Sequence, residues 1–344
     1  MHNYPYSLYI LTFLTSLLVS LLLTPLFRLL ALKLKILDVP FSAIKTHKNP
    51  VPYLGGAAIF IGWLFSLVLV RFFTDFPTGT LHSLRGIVLG ATLMVILGLV
   101  DDRTPKGIGF RSKFLVQTLA ALIIILFDIR IHFITPNFLA ILATLIWIIG
   151  ITNSFNIVDI MDGLSSGIAV IAALAFLFIA LPSEEIYVNF CAAALAGGIL
   201  GFMPFNLSKK AKIFMGDAGS LTIGFLLAAL SLGTSYTKIN YIGIFSPFLI
   251  LALPIYDTML VMFLRWKKGL SPFLGSKDHF ALRLEKIGFS RKEILVVSYT
   301  ASVVFSFSAY LITRLSVKDS IAVFCLMILL SFLTAYRIGK VKMD

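Results

Sequence analysis

Eleven long apolar runs, joined mostly by short loops, constrain this chain more than any other feature; they fall at about 7–31, 54–74, 84–100, 114–128, 138–153, 165–182, 187–204, 219–236, 241–264, 294–313 and 320–336. Runs of this length suit the hydrocarbon layer of a bilayer, about 30 Å thick. In lipid the backbone must satisfy its own hydrogen bonds, so such segments are helices. The expected fold is an all-α polytopic membrane protein with about eleven transmembrane helices. The 114–128 run is short and ends on Asp128 and Arg130, which leaves ten open. With 59% hydrophobic and 13% charged residues, the chain has too few polar side chains to cover a soluble core. The first run lacks a preceding basic residue and a following small-residue cleavage site, so it reads as a retained span. Cys191 and Cys325 both lie in apolar runs, and neither a disulfide nor a zinc site is implied.

The net charge of +13 would suggest nucleic acid in a soluble protein. Here one alternate set of loops, with the carboxyl-terminal segment, holds 23 of the 29 lysines and arginines. That bias places this side in the cytoplasm, the N-terminus outside and the C-terminus inside. The basic excess is therefore topology and attraction to anionic headgroups, and a nucleic-acid partner is excluded. The opposite loops are short. The cytoplasmic ones, at about 32–53, 101–113, 154–164, 205–218 and 265–293, carry nearly all the polar features. With no internal repeat or low-complexity tract, residues 1–344 read as a single integral-membrane domain.

Acidic residues beside membrane spans are costly and usually functional. Asp101 and Asp102 follow the third run, Asp159 and Asp162 follow the fifth, and Asp217 opens the eighth, all at the cytoplasmic end. Taken singly, each has a structural reading: Asp217, before Ala218, Gly219 and Ser220, would make a good helix N-cap. Asn153, Asn156, Asp159 and Asp162 step by three, so neighbours would share a helix face. Convergence of several acids and lysines on one interface is what Mg²⁺ with a bound diphosphate requires. Mg²⁺ takes a few carboxylates and leaves its other positions to phosphate and water, and basic groups offset the remaining charge.

The ordered segments Asp38–Pro40, His47–Gly56, Gly98–Asp102, Asn153–Gly163, Phe214–Ser220 and Pro254–Thr258 resemble the polyprenyl-phosphate N-acetylhexosamine-1-phosphate transferases. The nearer branch is the undecaprenyl-phosphate GlcNAc-1-phosphate transferases, with phospho-MurNAc-pentapeptide translocase a cousin. The resemblance implies transfer of a sugar-1-phosphate from a UDP-sugar, by default UDP-GlcNAc, to a membrane polyprenyl (undecaprenyl) phosphate. UMP is released, in the first membrane step of a cell-surface glycan pathway at the inner membrane. It implies Mg²⁺, with Mn²⁺ able to substitute, and leaves a homodimer open. Carried over residue by residue, Asp217 and Asp102 are the metal ligands, and Asp101 and Asp102 the catalytic acids. Asn153, Asn156, Asp159 and Asp162 line the nucleotide and diphosphate site, Phe214 stacks on uracil, and Lys48 contacts the diphosphate. Asp257 matches the Pro-x-x-Asp-Thr motif, and a buried structural role is equally open to it. The nearer branch usually carries His-x-His-His-Arg in the fifth internal loop. Here His279 and Arg283 remain as substrate contacts, while Ala281 and Leu282 stand at the other two histidine positions, which implies an altered or relaxed sugar preference.

A phosphate monoester has a second pKa of about 6 and is largely dianionic at neutral pH. Direct attack by the lipid phosphate is therefore favoured over an aspartyl-phosphate intermediate. A secondary transporter is the main rival, but transporters place their ionisable groups near the midplane, where only Asp257 lies here. A non-catalytic scaffold would leave the converging acids without a purpose.

Overall fold

The computed structural model describes residues 5–40, 49–104, 107–183, 186–271 and 276–343. The helices are α1 (Tyr6–Lys33), α2 (Gly55–Arg71), α3 (Thr78–Arg103), α4 (Phe110–Leu126), α5 (Asn137–Val158), α6 (Leu164–Ala180), α7 (Ile186–Asn206), α8 (Gly216–Gly233), α9 (Ser246–Ile250), α10 (Ala252–Lys267), α11 (Phe280–Lys286), α12 (Arg291–Ile312) and α13 (Val317–Gly339). Between α1 and α2, β1 (Leu37–Asp38) pairs antiparallel with β2 (Val51–Pro52). Every apolar run contains a helix, and the chain is an all-α polytopic membrane protein. Seven described helices have the length and apolarity to cross a bilayer by themselves, and a bent pair makes up to eight; α2 and α6 are apolar but only 17 residues long.

The bent pair is the ninth run, expected as one continuous span. It breaks at Leu251, where Tyr241–Ile250 and Ala252–Lys267 meet at 68°. Pro254 accounts for the break. It has no N–H to bond the carbonyl of Ile250, and its ring crowds that carbonyl.

Apolarity alone does not decide which helices lie inside the bundle, because lipid is as apolar as leucine. Small residues do. Helix α7, with Ala192–Ala194 and Gly197-Gly198, and helix α8 are the most enclosed, whereas α13 is exposed along most of its length. Helix α1 turns the buried row Thr12, Ser16, Ser20 and Thr24 inward, and Ser16 donates to the carbonyl of Ala194 on α7 at 2.6 Å.

Two contacts set the polar end of the bundle. A Cβ built on Gly98 of α3 would lie 2.2 Å from the Cα of Ala218, so α3 and α8 touch backbone to backbone. The β2 strand is bonded into the loop before α8: Phe214 N–H donates to Pro52, Gly55 N–H to Phe214 and Gly56 N–H to Met215, at 2.9, 3.0 and 2.9 Å. The starts of α2 and α8 are thereby fastened together.

Candidate active site

The site forms where α3 and α5 end and α8 begins. Gly216, at φ +69°, opens α8 in a left-handed conformation, and a Cβ there would lie 2.4 Å from an Asp102 oxygen. Space and dihedral thus both require glycine. The turn sets two amides against the Asp102 carboxylate: Asp217 N–H donates to Oδ1 at 2.8 Å and Ala218 N–H to Oδ2 at 3.2 Å. These are amides that the first turn of a helix leaves without intrahelical partners. The cap expected of Asp217 is therefore supplied by Asp102 from another helix, and Asp217 lies inside the first turn with its carboxylate free for other partners.

Those partners are Asn156 and Lys113. Asn156 Nδ2 donates to Asp217 Oδ1 and to Ser220 Oγ, both at 2.9 Å. Lys113 Nζ, from the first turn of α4, lies 2.5 Å from Asp217 Oδ2 and 2.8 Å from Asp101 Oδ2. The other oxygen of Asp101 accepts the Ile108 amide at 2.6 Å. The two acids adjacent in sequence thus do different work. Asp102 holds the start of α8, while Asp101 faces Asp217 across an ammonium group.

The cleft beside this cluster is lined by Asn156, Asp159, Asp162, Phe214 and Asp217, as expected, and also by Asp38, Tyr53, Asn206, Lys212, Ser276, Leu282 and Arg291. Helix α5 stops at Val158, so Asp159 caps its end and Asp162 lies in the turn beyond. The shared helix face expected of that series therefore ends at Asn156. Burial, then the charges of Asp217 and Asp162, push the Asp159 carboxyl up to about 8. Lys212 Nζ pairs with Asp162 at 2.5 Å and stands 5.0 Å above the Phe214 ring. Tyr53 lies 6.3 Å from that ring, and its hydroxyl bonds Asp38. Burial first, and then the charge of Asp38, raise that hydroxyl above the ordinary tyrosine range. An aromatic face beside cations and acids suits a base and a diphosphate together.

Three expected contacts do not line the cleft. Asn153 exchanges hydrogen bonds with Gln117 of α4, at 2.7 and 3.3 Å. His279 is buried, with Nδ1 2.7 Å from Asp257 Oδ2, while Asp257 Oδ1 accepts the Phe280 amide at 2.8 Å. Arg283 is 2% exposed and directed at backbone carbonyls and Asp278. In each case the polar group is taken up by another helix or loop. For Asp257, of the two roles left open, the geometry shows the buried hydrogen-bonding one. Lys48 lies outside the described residues.

Among the described residues no three His, Cys, Asp or Glu side chains converge as a ready-made metal cage. Mg²⁺ needs only one or two carboxylates beside phosphate and water. Asp101 and Asp217, already arranged around the positive charge of Lys113, fit that requirement. Asp102 fits it less well, because both its oxygens face backbone amides of α8, whereas Asp101 and Asp217 each turn one oxygen to the position that the Lys113 cation occupies.

The model of glycosyl transferase family 4 matches residues 84–235, which include most of α3, all of α5 and α8, and the acids Asp101, Asp102, Asp159, Asp162 and Asp217. A Bacillus subtilis protein named probable undecaprenyl-phosphate N-acetylglucosaminyl 1-phosphate transferase is 30% identical over 342 residues, covering 97% of this chain and 93% of its own length. The chain belongs to glycosyl transferase family 4. Other proteins similar to it are the Mycolicibacterium smegmatis decaprenyl-phosphate N-acetylglucosaminephosphotransferase, 29% identical over 80% of this chain and 76% of its own, and the Escherichia coli K12 undecaprenyl-phosphate alpha-N-acetylglucosaminyl 1-phosphate transferase, 27% identical over 84% of this chain and 80% of its own. As a member of the family, this chain is a membrane-embedded phosphoglycosyl transferase.

Sequence reasoning missed Lys113, Tyr53, Lys212 and Arg291 as site residues. Lys113 carried a signal, since it shares the second internal loop region with Asp101 and Asp102. Lys212 likewise sits just before Phe214.

Proposed function

We propose that the chain transfers GlcNAc-1-phosphate from UDP-GlcNAc to a polyprenyl phosphate, releasing UMP and forming polyprenyl-diphospho-GlcNAc. The observation that carries this reading is the Asp101–Lys113–Asp217 cluster beside a cleft containing Phe214, Lys212 and Arg291. The names of the similar proteins, each with a polyprenyl-phosphate acceptor and N-acetylglucosamine, support the substrate pair. The loop charge bias supports a cytoplasmic site, with the N-terminus outside and the C-terminus inside.

Asp101 and Asp217 are the residues that would hold Mg²⁺. Bound there, the ion would neutralise charge on the transferring phosphoryl group. Phe214 offers its face to uracil, and Lys212 and Arg291 bring positive charge to the diphosphate. Lys113 keeps Asp101 and Asp217 at a fixed spacing and orients both toward one point. Phosphoryl transfer depends mainly on such positioning and neutralisation. The commitment of both Asp102 oxygens to α8 amides counts against Asp102 as a carboxylate nucleophile, and direct attack by the lipid phosphate needs none.

The test is UMP release by detergent-solubilised protein given UDP-GlcNAc, undecaprenyl phosphate and Mg²⁺, with other UDP-N-acetylhexosamines in parallel. The expected product appears only when lipid and metal are both present. Absence of lipid- and metal-dependent UMP across the whole panel would reject the assignment.

A further inference from the structure

Arg283 is a long cation buried among groups that are not substrate. Its Nε donates to the carbonyl of Asp278 at 3.0 Å and its Nη2 to Asp278 Oδ1 at 2.5 Å. Its Nη1 reaches the carbonyls of Ile338 and Gly339, at 3.3 and 3.4 Å, and that of Val341. The last carbonyls of a helix lack intrahelical donors, and a guanidinium satisfies them while opposing the negative end of the helix dipole. Arg283 therefore closes the end of α13.

Asp278 carries the contact onward. Its Oδ2 accepts the Ser276 hydroxyl at 2.9 Å and its Oδ1 the Lys268 ammonium at 2.8 Å. Although burial acts against it, the hydrogen bonds from Lys268 and Ser276 and the charges of Lys268 and Arg283 hold the Asp278 carboxyl below its ordinary range, so it stays anionic. Ser276 lines the cleft, and so does Leu282, the residue immediately before Arg283. One wall of the cleft is thus tied through Arg283 to the carboxyl end of α13. Asp257 supports the same wall from α10 through His279 and the Phe280 amide.

We propose that Arg283 is a positioning residue, tying the cleft wall of Ser276 and Leu282 to the carbonyls of Ile338, Gly339 and Val341, so that the end of α13 is a working part of the nucleotide-sugar site. The proposal rests on the reading that this cleft binds the UDP-sugar. An arginine that touched the diphosphate would lose binding only through its own side chain. A tether also loses binding when the far end of the contact is removed.

The experiment compares Arg283→Lys, a chain ended after Arg337, a chain ended after Val341, and Arg283→Lys combined with the Arg337 end. Kinetics are measured separately for UDP-GlcNAc and undecaprenyl phosphate. Arg283→Lys and the Arg337-ended chain should each raise the KM for UDP-GlcNAc about ten- to a hundredfold, the scale set by a small misplacement of binding groups. The KM for undecaprenyl phosphate should change by less than about twofold, as expected when only one substrate's wall has moved. The combined variant should be no worse than either single one, because both remove the same interaction. The Val341-ended chain keeps every acceptor and should match the full chain. Trypsin cleavage after Lys277, exposed between Ser276 and Asp278, should quicken in the first two variants, and this readout does not depend on turnover. If the unaltered protein uses no UDP-sugar, the functional reading fails while the cleavage rates still decide the tether. If Arg283→Lys does not fold, the two shortened chains decide it. A wild-type KM and cleavage rate in the Arg337-ended chain, or additive losses in the combined variant, would overturn the proposal.

Discussion

The carboxylate of Asp102 accepts the amide of Asp217 at 2.8 Å, so the residue that fixes the start of α8 also fixes the residue whose own carboxylate faces Lys113. Asp101, one position earlier, shares none of these amides. Stability and catalysis should therefore separate between two adjacent acids. Asp102→Asn retains one acceptor but sets an amide N–H against a backbone N–H. It should cost about 1–2 kcal/mol, the range for losing a helix cap, and lower the melting temperature by a few degrees. Asp101→Asn should leave melting unchanged and cut turnover by about 10²-fold or more, the scale of a lost catalytic group. Equal melting losses in the two variants would contradict this division.

Asp217→Asn preserves the bond from Asn156, through the retained amide oxygen, and removes the anion. UMP release should fall by at least about 10²-fold and should not recover at saturating Mg²⁺, because a neutral amide is a poor ligand for a hard cation. Near-normal turnover at high Mg²⁺ would remove Asp217 from the metal site.

Lys113 occupies the position between Asp101 and Asp217 where a cation is wanted. A neutral Lys113→Gln side chain would leave the two anions facing each other. Mg²⁺ should then bind more tightly, with a lower half-saturating concentration, while turnover drops about tenfold or more as the acids lose their fixed spacing. Titration of activity against Mg²⁺ measures both quantities. Weaker Mg²⁺ binding in the variant would mean that Lys113 organises the metal site without competing for it.

Asp159 gives a pH dependence of determinate sign. Its carboxyl is held up to about 8 in the folded protein, against about 3.9 in an unfolded chain. The folded state keeps the proton that the unfolded state releases, so its stability declines as pH rises from about 4 to about 8 and then levels off. Asp159→Asn mimics the protonated form. In Mg²⁺-free detergent solution its melting temperature should match the unaltered protein near pH 4, pull ahead through this window and hold a constant lead above pH 8. A lead that does not vary with pH would show that Asp159 is not the titrating group.

Much of this was legible in the sequence for a physical reason. Spanning helices need long uninterrupted apolar runs, and the alternation of charged loops brings Asp101, Asp159 and Asp217 to one end. What was not legible depended on contacts between segments. The helical phase that sends Asp102 toward α8 and Asp101 toward α4 cannot be read from two identical neighbours. The ammonium between Asp101 and Asp217 comes from a third helix. His279 and Asp257 each stood out in the sequence, but only the fold around the break at Leu251 places them 2.7 Å apart. Arg283 was expected as a substrate contact through the resemblance alone, whereas its partners here are Asp278 and backbone carbonyls, and the carbonyls have no sequence signature at all.

The contact of Gly98 with Ala218 has a mechanical consequence. Single helices answer a change in bilayer thickness by tilting. With no side chains between them at this point, α3 and α8 have no cushion on which to slide, and they must tilt as one body. The distance between Asp101 and Asp217 is thereby insulated from the lipid composition around the protein. What varies with the membrane is the depth at which the lipid acceptor's headgroup rides, so a thicker or thinner bilayer would act on this enzyme through delivery of its acceptor and leave the geometry of its acids unchanged.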